Sequence, residues 1–290
     1  MPLHHSSETI LSHPGLSAAR LAYVEAVLRL YEHDTSSNRL LVEATRGVVF
    51  FVIVSLYFAY EQEHRSSWPT MRLLKETVGL FGLSSDRRVD AIVSLLVKQG
   101  FIISEPAATD RRARILAPTE KGLLHDREWL AANYAPLSTM FPDPGYSPAM
   151  RRDPAFHRAQ RIVARTMAAQ GADIMATNPA IMFFMARDAG IMILFKLIDL
   201  ADASGSATFS STDLGKRFGI SRTHVRNLLR DAQAANLVSL ADGVVVLSVE
   251  LLSAFDRFMA SGMSGHDLIF RQAISMLADP REPPRRSPPG

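Results

Sequence analysis

An internal repeat limits what this chain of 290 residues can fold into more than any other feature. Residues 85–102 match residues 221–238 at a constant offset of 136. Upstream, the match continues through residues 81–83 over residues 218–220 at an offset of 137, which places a one-residue difference in a turn. Self-similarity at a fixed period indicates that one supersecondary unit occurs more than once. The chain is therefore expected to contain two copies of one fold.

The second copy shows the repeated unit most clearly. Ser221 is a suitable N-cap, and apolar residues follow it at helical spacing: Val225, Leu228, Leu229 and Ala232. Gly219 permits a sharp turn out of a preceding helix that opens at Ser210, with Asp213 three residues later. Helix, glycine turn and helix make the helix-turn-helix pattern.

A β-hairpin is predicted directly after this pattern. Asn236 is a candidate to end the second helix, and apolar runs at 237–241 and 244–249 flank Asp242-Gly243. An Asp-Gly pair between two such runs is typical of a type I′ turn. A helix-turn-helix followed by a hairpin is a winged helix.

The first copy has the same order of elements. A helix over 70–78 and a second helix capped at Ser85 precede strands at 101–104 and 113–117, which the loop 105–112 joins. The sequence therefore predicts a mainly α fold with small β-hairpin wings, made of tandem winged helix-turn-helix domains.

One part of the first copy resembles a known family. The run DRRARILAPTEKG at 110–122, preceded by KQGFI at 98–102, resembles the wing of MarR-type bacterial transcription regulators, with Pro118 where leucine is usual. The resemblance covers residues 70–130, and the second copy resembles winged helices only in general. It implies a cytoplasmic transcription factor whose recognition helices enter the major groove of duplex DNA. Members of the family usually work as homodimers, so a homodimer of this chain is one expected assembly.

Basic residues of both copies are the candidate DNA contacts. Arg222, Arg226 and Arg230 are spaced by four and share one helix face. The first copy has Asp86 and Asp90 in place of the first two, so its wing is expected to carry most of its binding. The predicted DNA-binding residues are Ser85, Arg87, Arg88, Arg111, Arg112 and Arg114 in the first copy, and Ser221, Arg222, Thr223, His224, Arg226, Asn227 and Arg230 in the second.

Five prolines within residues 136–154 mark the boundary between the copies. No helix is expected to survive that density of proline. The predicted organisation is a flexible N-terminus at 1–15, a first winged-helix domain at 16–135, a linker at 136–154, a second winged-helix domain at 155–278 and a disordered Pro/Arg tail at 279–290.

Two further segments, 43–62 and 179–203, are predicted as helices that are apolar nearly all round. Such helices belong to a core or an interface, and their pairing within one chain would form a pseudo-twofold dimer. Packing is the favoured role of their large side chains. The alternative is a cavity for a small-molecule effector, lined by Phe50, Phe51, Met182, Phe183 and Phe184.

Other classes of function have no support in the sequence. The apolar run 48–60 is too short to cross a bilayer, so no membrane partner is expected. There is no cysteine, which fits a reducing cytoplasm. Apart from the terminal pair His4-His5, no histidines have metal-ligand spacing. No phosphate loop or nucleophile motif occurs either, so neither an enzyme nor a cofactor is predicted.

The sequence thus predicts a regulator of transcription that binds duplex DNA. A net charge of +3 supports a polyanionic partner only where the basic residues cluster. Two alternatives stay open: a tandem winged-helix module that assembles with protein partners, and a plasmid-type replication initiator.

Overall fold

A computed structural model describes residues 4–32, 38–241 and 244–279 of the chain. These residues are mainly helical, with two small antiparallel sheets. The helices are α1 (Ser7–Leu11), α2 (Leu16–Glu32), α3 (Asn38–Leu41), α4 (Ala44–Phe58), α5 (Met71–Gly79), α6 (Asp86–Lys98), α7 (Glu120–Met140), α8 (Ser147–Met150), α9 (Pro154–Thr166), α10 (Ala168–Ala176), α11 (Pro179–Met185), α12 (Gly190–Leu200), α13 (Ser211–Phe218), α14 (Arg222–Ala234) and α15 (Val249–Ala278), with a 3-10 turn at Arg65–Ser67. The strands are β1 (Ile102–Pro106), β2 (Arg114–Pro118), β3 (Ser206–Thr208), β4 (Val238–Ala241) and β5 (Val244–Leu247).

The repeat predicted from the sequence is present in the backbone. The first unit consists of α5, α6, β1 and β2, and the second of α13, α14, β4 and β5. Gly82 and Gly219 hold the turns between the helices with φ of 62° and 71°, a region that favours glycine. After the second helix, Gly100 and Asn236 occupy equivalent left-handed positions with φ of 72° and 58°. The two units therefore share their turns as well as their helices.

The helix caps differ between the units. The Ser210 hydroxyl accepts a hydrogen bond from the Asp213 amide at 3.2 Å, and the Ser221 hydroxyl accepts one from the His224 amide at 3.0 Å, as predicted. Ser85 lies at the same position before α6, but its side chain makes no cap bond. The prediction of a side-chain cap at Ser85 is therefore wrong, although Ser85 occupies the N-cap position of α6 with the same extended backbone as Ser221 before α14. Without that bond, the first-turn amides of α6 are left to water.

The sheets also differ between the units. β1 pairs with β2 alone, whereas β3 adds a third strand beside β5 in the second unit. In the first unit the Pro69 carbonyl lies beside the hairpin, where it accepts a hydrogen bond from the Leu116 amide at 2.9 Å. Proline has no N–H, so Pro69 cannot extend this contact into a ladder. The hairpins confirm the predicted strands to within two residues at each end, but the type I′ turn predicted at Asp242-Gly243 lies outside the described residues.

The segment 179–203, predicted as one helix, is divided into α11 and α12. Ala189 adopts φ of 53° between them, so the chain turns instead of continuing the helix. Gly190 then lies so close to the Phe184 carbonyl oxygen that a Cβ would collide with it. The prediction of a single helix is wrong because its apolar pattern continues through a tight turn that glycine permits.

The N-terminal residues are packed, contrary to the flexibility predicted for 1–15. Ser6 caps α1, Ile10 is fully buried, and α1 packs against α15. The His5 ring stacks on Phe141 at 3.7 Å between centroids, and the His5 amide donates to Asp267 at 2.7 Å. The prediction is therefore wrong for residues 4–15, because one apolar side chain and these polar contacts fix the segment. Residues 1–3 and 280–290, the latter nearly all of the predicted tail, lie outside the described residues.

The predicted linker contains helices. α7 continues through Pro136 to Met140, and Leu137 and Tyr146 are buried. Pro148 and Pro154 lie in the first turns of α8 and α9, where the missing N–H removes no helical hydrogen bond. The prediction of a helix-free segment is wrong, because Pro148 and Pro154 begin helices and α7 packs its last turn into the core despite Pro136.

One hydrophobic core extends through both halves of the chain. α4 precedes the first unit and packs against α9, whereas α12 precedes the second unit and packs against α2. Each apolar helix is thus covered within the chain by a helix from the other half, as α9 covers α4 and α2 covers α12. Pairing of two chains stays a prediction.

A buried ionic cluster joins α7 to α9 within this core. Arg161 donates to Asp126 from Nε at 2.8 Å and also from Nη2, and His157 Nε2 lies 2.6 Å from Asp126 Oδ2. All three residues are buried. Burial alone would raise the pKa of Asp126, but Arg161 and His157 outweigh it and lower that pKa to about 2. Asp126 therefore stays ionised and fixes the two helices to each other.

Candidate nucleic-acid interface

The first turns of α14 present the most open set of the predicted contacts. Arg222, Thr223, Arg226 and Asn227 are exposed, while the opposite side of the helix packs into the core. The side chains of Arg222 and Arg226 make no hydrogen bond or ion pair with any described residue. Two guanidinium groups are therefore available on one face of a helix whose N-terminal end is exposed.

A cleft of about 600 Å³ lies between this helix face and the second hairpin. Its helical side is formed by Thr223, Arg226, Asn227 and Arg230, and its other side by hairpin residues that include Leu240 and Val244. The Arg230 Nη2 donates to Asn227 Oδ1 at 2.7 Å, so these two predicted contacts hold each other. Arg226 is the cation in the cleft without such a partner.

His224 has a different position from the one predicted. Its Nε2 lies 3.0 Å from the backbone carbonyl of Asp188, which accepts a hydrogen bond from the ring. Asp188 precedes α12 by two residues, so His224 ties the start of α14 to the start of α12. The Nε2–H group of His224 therefore bonds within the protein instead of facing a ligand.

The basic residues of α6 are more occupied than those of α14. Arg88 forms an ion pair with Glu43, whose buried carboxylate also pairs with Arg46 at 2.7 Å. Asp90, at the position equivalent to Arg226, pairs with Lys75 at 2.8 Å. Arg87 is exposed, and its side chain has no partner among the described residues. Of the two arginines predicted on α6, only Arg87 is available to a ligand.

Reasoning from the sequence assigned Arg88 and His224 to DNA and missed the contacts that both make within the protein. Arg88 and His224 are equivalent in the repeat, and both reach the residues that precede the apolar helix of their own half. Glu43 is the N-cap residue of α4, and Asp188 lies just before α12. The offset of 136 identifies the pair, but their partners are too distant in sequence to be inferred from it.

The first hairpin leaves two of its three predicted arginines available. Arg114 donates to the backbone carbonyl and hydroxyl of Ser104 on the facing strand, so it holds the hairpin together. Asp110 pairs with Arg65 at 2.7 Å and accepts from the backbone amide of Arg112 at 3.0 Å. Asp110 thus connects Arg65 to the hairpin tip. The available arginine side chains at the hairpin tip are Arg111 and Arg112.

The five apolar side chains proposed to line an effector cavity do not surround one cavity. Of the five, Phe51 lines an apolar cavity of about 370 Å³. Phe50 and Phe184 are fully buried by other side chains, and Phe183 packs under the guanidinium of Arg187 at 3.6 Å. The predicted lining is therefore wrong for four of its five residues, because two fill the core, and Phe183 and Met182 are half-buried away from that cavity.

Within the described ranges, no cluster of histidine and acidic side chains could hold a metal ion, and no helix is long and apolar enough to cross a membrane. Comparison with family models, with curated proteins and with solved structures finds no match for this chain. The interpretation of the interface therefore depends on the geometry and charge of its own residues.

Proposed function

We propose that this chain is a sequence-specific transcription regulator that binds duplex DNA through two winged-helix units. The observation that carries the proposal is the pair Arg222 and Arg226, which are exposed in the first two turns of α14 and have no partner among the described residues. A helix that follows a glycine turn and lies beside a hairpin is the element that winged-helix proteins place in the major groove. The likeness of residues 110–122 to a MarR-type wing points the same way. Genomic DNA as the partner implies a cytoplasmic location.

The two units are proposed to divide the work of binding. Arg226 lies in the cleft beside Thr223, where a guanidinium can donate two hydrogen bonds to a guanine edge. Arg111 and Arg112 lie at a hairpin tip, where they can contact phosphates without reading sequence. α14 would then supply base preference, and the first hairpin would supply affinity common to all sequences.

Genomic footprinting is the experiment that tests the proposed role. Binding sites upstream of transcription units support the regulator, and their absence together with salt-independent behaviour toward duplex DNA contradicts it. Sites confined to one replication origin would instead indicate the initiator, and no sites would indicate a protein-assembly module. Because phosphate contacts release counterions, true binding must weaken steeply with salt.

A variant pair tests the contact that carries the proposal. Arg226→Ala should relax base preference at one position of the footprinted site, at a cost of about 1 to 3 kcal/mol for a bidentate base contact. Arg151→Ala is the matched control, because it removes an exposed arginine beside α8 that belongs to neither unit. Fluorescence anisotropy on matched and mismatched duplexes measures both variants. Equal loss in the two variants would contradict a specific role for Arg226.

A further inference from the structure

A cavity of about 370 Å³ lies between the two halves of the chain. Helices α2, α4 and α7 form one side, and α9, α10, α12 and α15 form the other. This volume falls in the range of pockets that bind small molecules in proteins. The cavity is distinct from the cleft beside α14, with which it shares no lining residue.

The walls of the cavity are apolar and adaptable. Six of the twelve methionines of the chain line it: Met167, Met175, Met185, Met192, Met259 and Met263. Methionine is unbranched and polarisable, so it adjusts to the shape of an apolar guest. Half of the methionines of the chain thus line one cavity, where their side chains can adapt to an apolar ligand.

The charged side chains that line the cavity are all basic. No aspartate or glutamate is among the described lining residues, while two arginines are. Arg161 is neutralised by Asp126, and its guanidinium carbon lies 5.2 Å from the ring centroids of both Phe51 and Trp129. Arg165 is partly buried and reaches only the backbone carbonyl of Ala59 at 3.4 Å, with no described carboxylate as partner.

An unpaired cation at an apolar wall is unfavourable until an anion reaches it, because burial without a partner costs free energy. A carboxylate would form a charge-assisted hydrogen bond with Arg165, which is stronger than a neutral one. Inside the described protein no acidic side chain lines this void to do so. An anionic group brought by a ligand would fill that role.

A second polar residue belongs to the same lining. The Nδ1 atom of His266 is buried and has no hydrogen-bond partner, although His266 lines the cavity. Burial lowers the pKa of His266 to about 4, so its ring is neutral near pH 7. In the neutral ring, Nδ1 can either donate or accept one hydrogen bond. Native proteins rarely leave such an atom unsatisfied, and a bound molecule is one way to satisfy it.

We propose that this cavity binds an apolar carboxylic acid, with the carboxylate on Arg165 and the apolar part among the methionines and Trp129. The proposal does not depend on DNA binding, since none of the residues assigned to the DNA interface lines the cavity. Both aliphatic and aromatic acids carry the required chemistry, and the test separates these two sources.

Calorimetric titration of the full chain is the direct test. Decanoate and 4-butylbenzoate are compared with the uncharged alcohols decanol and 4-butylbenzyl alcohol, which match them in shape. At least one acid should bind about tenfold more tightly than its alcohol, since 1.4 kcal/mol of charge pairing corresponds to that factor. Arg165→Gln should reduce the affinity for the acid to that for the alcohol and leave the alcohol unchanged. Equal binding of acid and alcohol, no binding of either acid, or an unaltered acid affinity in Arg165→Gln would overturn the proposal.

A filling variant keeps the test independent of folding defects. Gly262 lines the cavity within α15, and a Cβ built there meets no atom within 4 Å. Gly262→Leu should fold at least as stably as the parent, because glycine is unfavourable inside a helix, yet it should bind neither acid. Gly79→Leu is the matched control, with the same open surroundings in α5 but outside the cavity, and it should bind normally. Undiminished acid binding by a folded Gly262→Leu protein would overturn the site.

Discussion

α6 and α14 occupy equivalent positions in the two units but use their charges in opposite ways. On α6, Arg88 and Asp90 are both paired with side chains of the protein. On α14, Arg222 and Arg226 have no partner among the described residues. The same backbone thus supports one helix with two charged side chains paired within the protein and another with two arginines exposed and unpaired among the described residues. The fold alone therefore does not indicate which unit recognises a ligand, and the side chains must decide.

The long helices that follow the two hairpins provide a second contrast. α7 buries Asp126 in a fully paired cluster, whereas α15 buries an unpaired nitrogen of His266. Both groups lie in the shared core, so both should affect the stability of the two units together.

The largest effect is expected from Asp126→Asn. It leaves Arg161 buried without its carboxylate, which should lower the free energy of unfolding by about 3 to 5 kcal/mol. Because one core joins the halves, a single transition should shift as a whole in urea unfolding followed by circular dichroism. Asp256→Asn is the control, since it breaks only the partly exposed pair with Arg20 at 3.0 Å. Separate unfolding of the two halves would contradict the idea that one core joins the two units.

The next largest effect is a loss of stability at acidic pH. The pKa of His266 is lowered to about 4 by burial from the ordinary value of 6.5, so between these values the unfolded chain binds a proton that the folded chain does not. Stability should fall as the pH drops from 6.5 toward 4, by about 2 kcal/mol at pH 5. Urea unfolding at pH 8 and pH 5 measures this loss, and His266→Gln should show less of it. An identical loss in both proteins would rule out His266 as its source.

A smaller effect should distinguish α6 from α14 directly. Arg88→Ala leaves the buried Glu43 with Arg46 alone and should cost about 1 to 2 kcal/mol of stability. Arg222→Ala should change stability by less than about 0.5 kcal/mol, because it removes an exposed side chain without a partner. In DNA binding the order should reverse, with Arg222→Ala the weaker binder. The contrast between α6 and α14 fails if the two variants lose stability equally.

The smallest expected change is in salt dependence. Arg111→Ala combined with Arg112→Ala should leave folding intact and weaken binding to all duplexes alike. The slope of log affinity against log salt should become shallower by about one to two, since each phosphate contact contributes roughly 0.9. Anisotropy titrations at several salt concentrations measure it. A loss of affinity confined to one DNA sequence would instead indicate that the first hairpin, and not α14, contacts the bases.

Local features could be predicted from the sequence. The helical stripe from Val225 to Ala232, the turns at Gly82 and Gly219 and both hairpins depend on neighbouring residues, and the structure confirms them. The helix that continues through Pro136 shows the limit of this reasoning, because tertiary packing overrides a local preference.

The contacts of the candidate site could not be predicted in the same way. Glu43 and Arg88 are 45 residues apart, and His224 and Asp188 are 36 apart. No local pattern connects such partners, so the sequence could not show which of the five candidate arginines on α6 and α14 are held by other residues of the protein. Only the three-dimensional arrangement separates those that hold the fold from those that face outward.

The packing of α1 against α15 has a consequence for the order of folding during synthesis. The His5 amide and its acceptor Asp267 are 262 residues apart, so the ribosome makes the first long before the second. At ordinary elongation rates the interval is roughly 13 to 50 s. Throughout that time Ile10 lacks the helix that α1 packs against, and the core shared by both halves lacks one of its walls. The nascent chain is therefore expected to stay open to chaperones until α15 emerges from the ribosome.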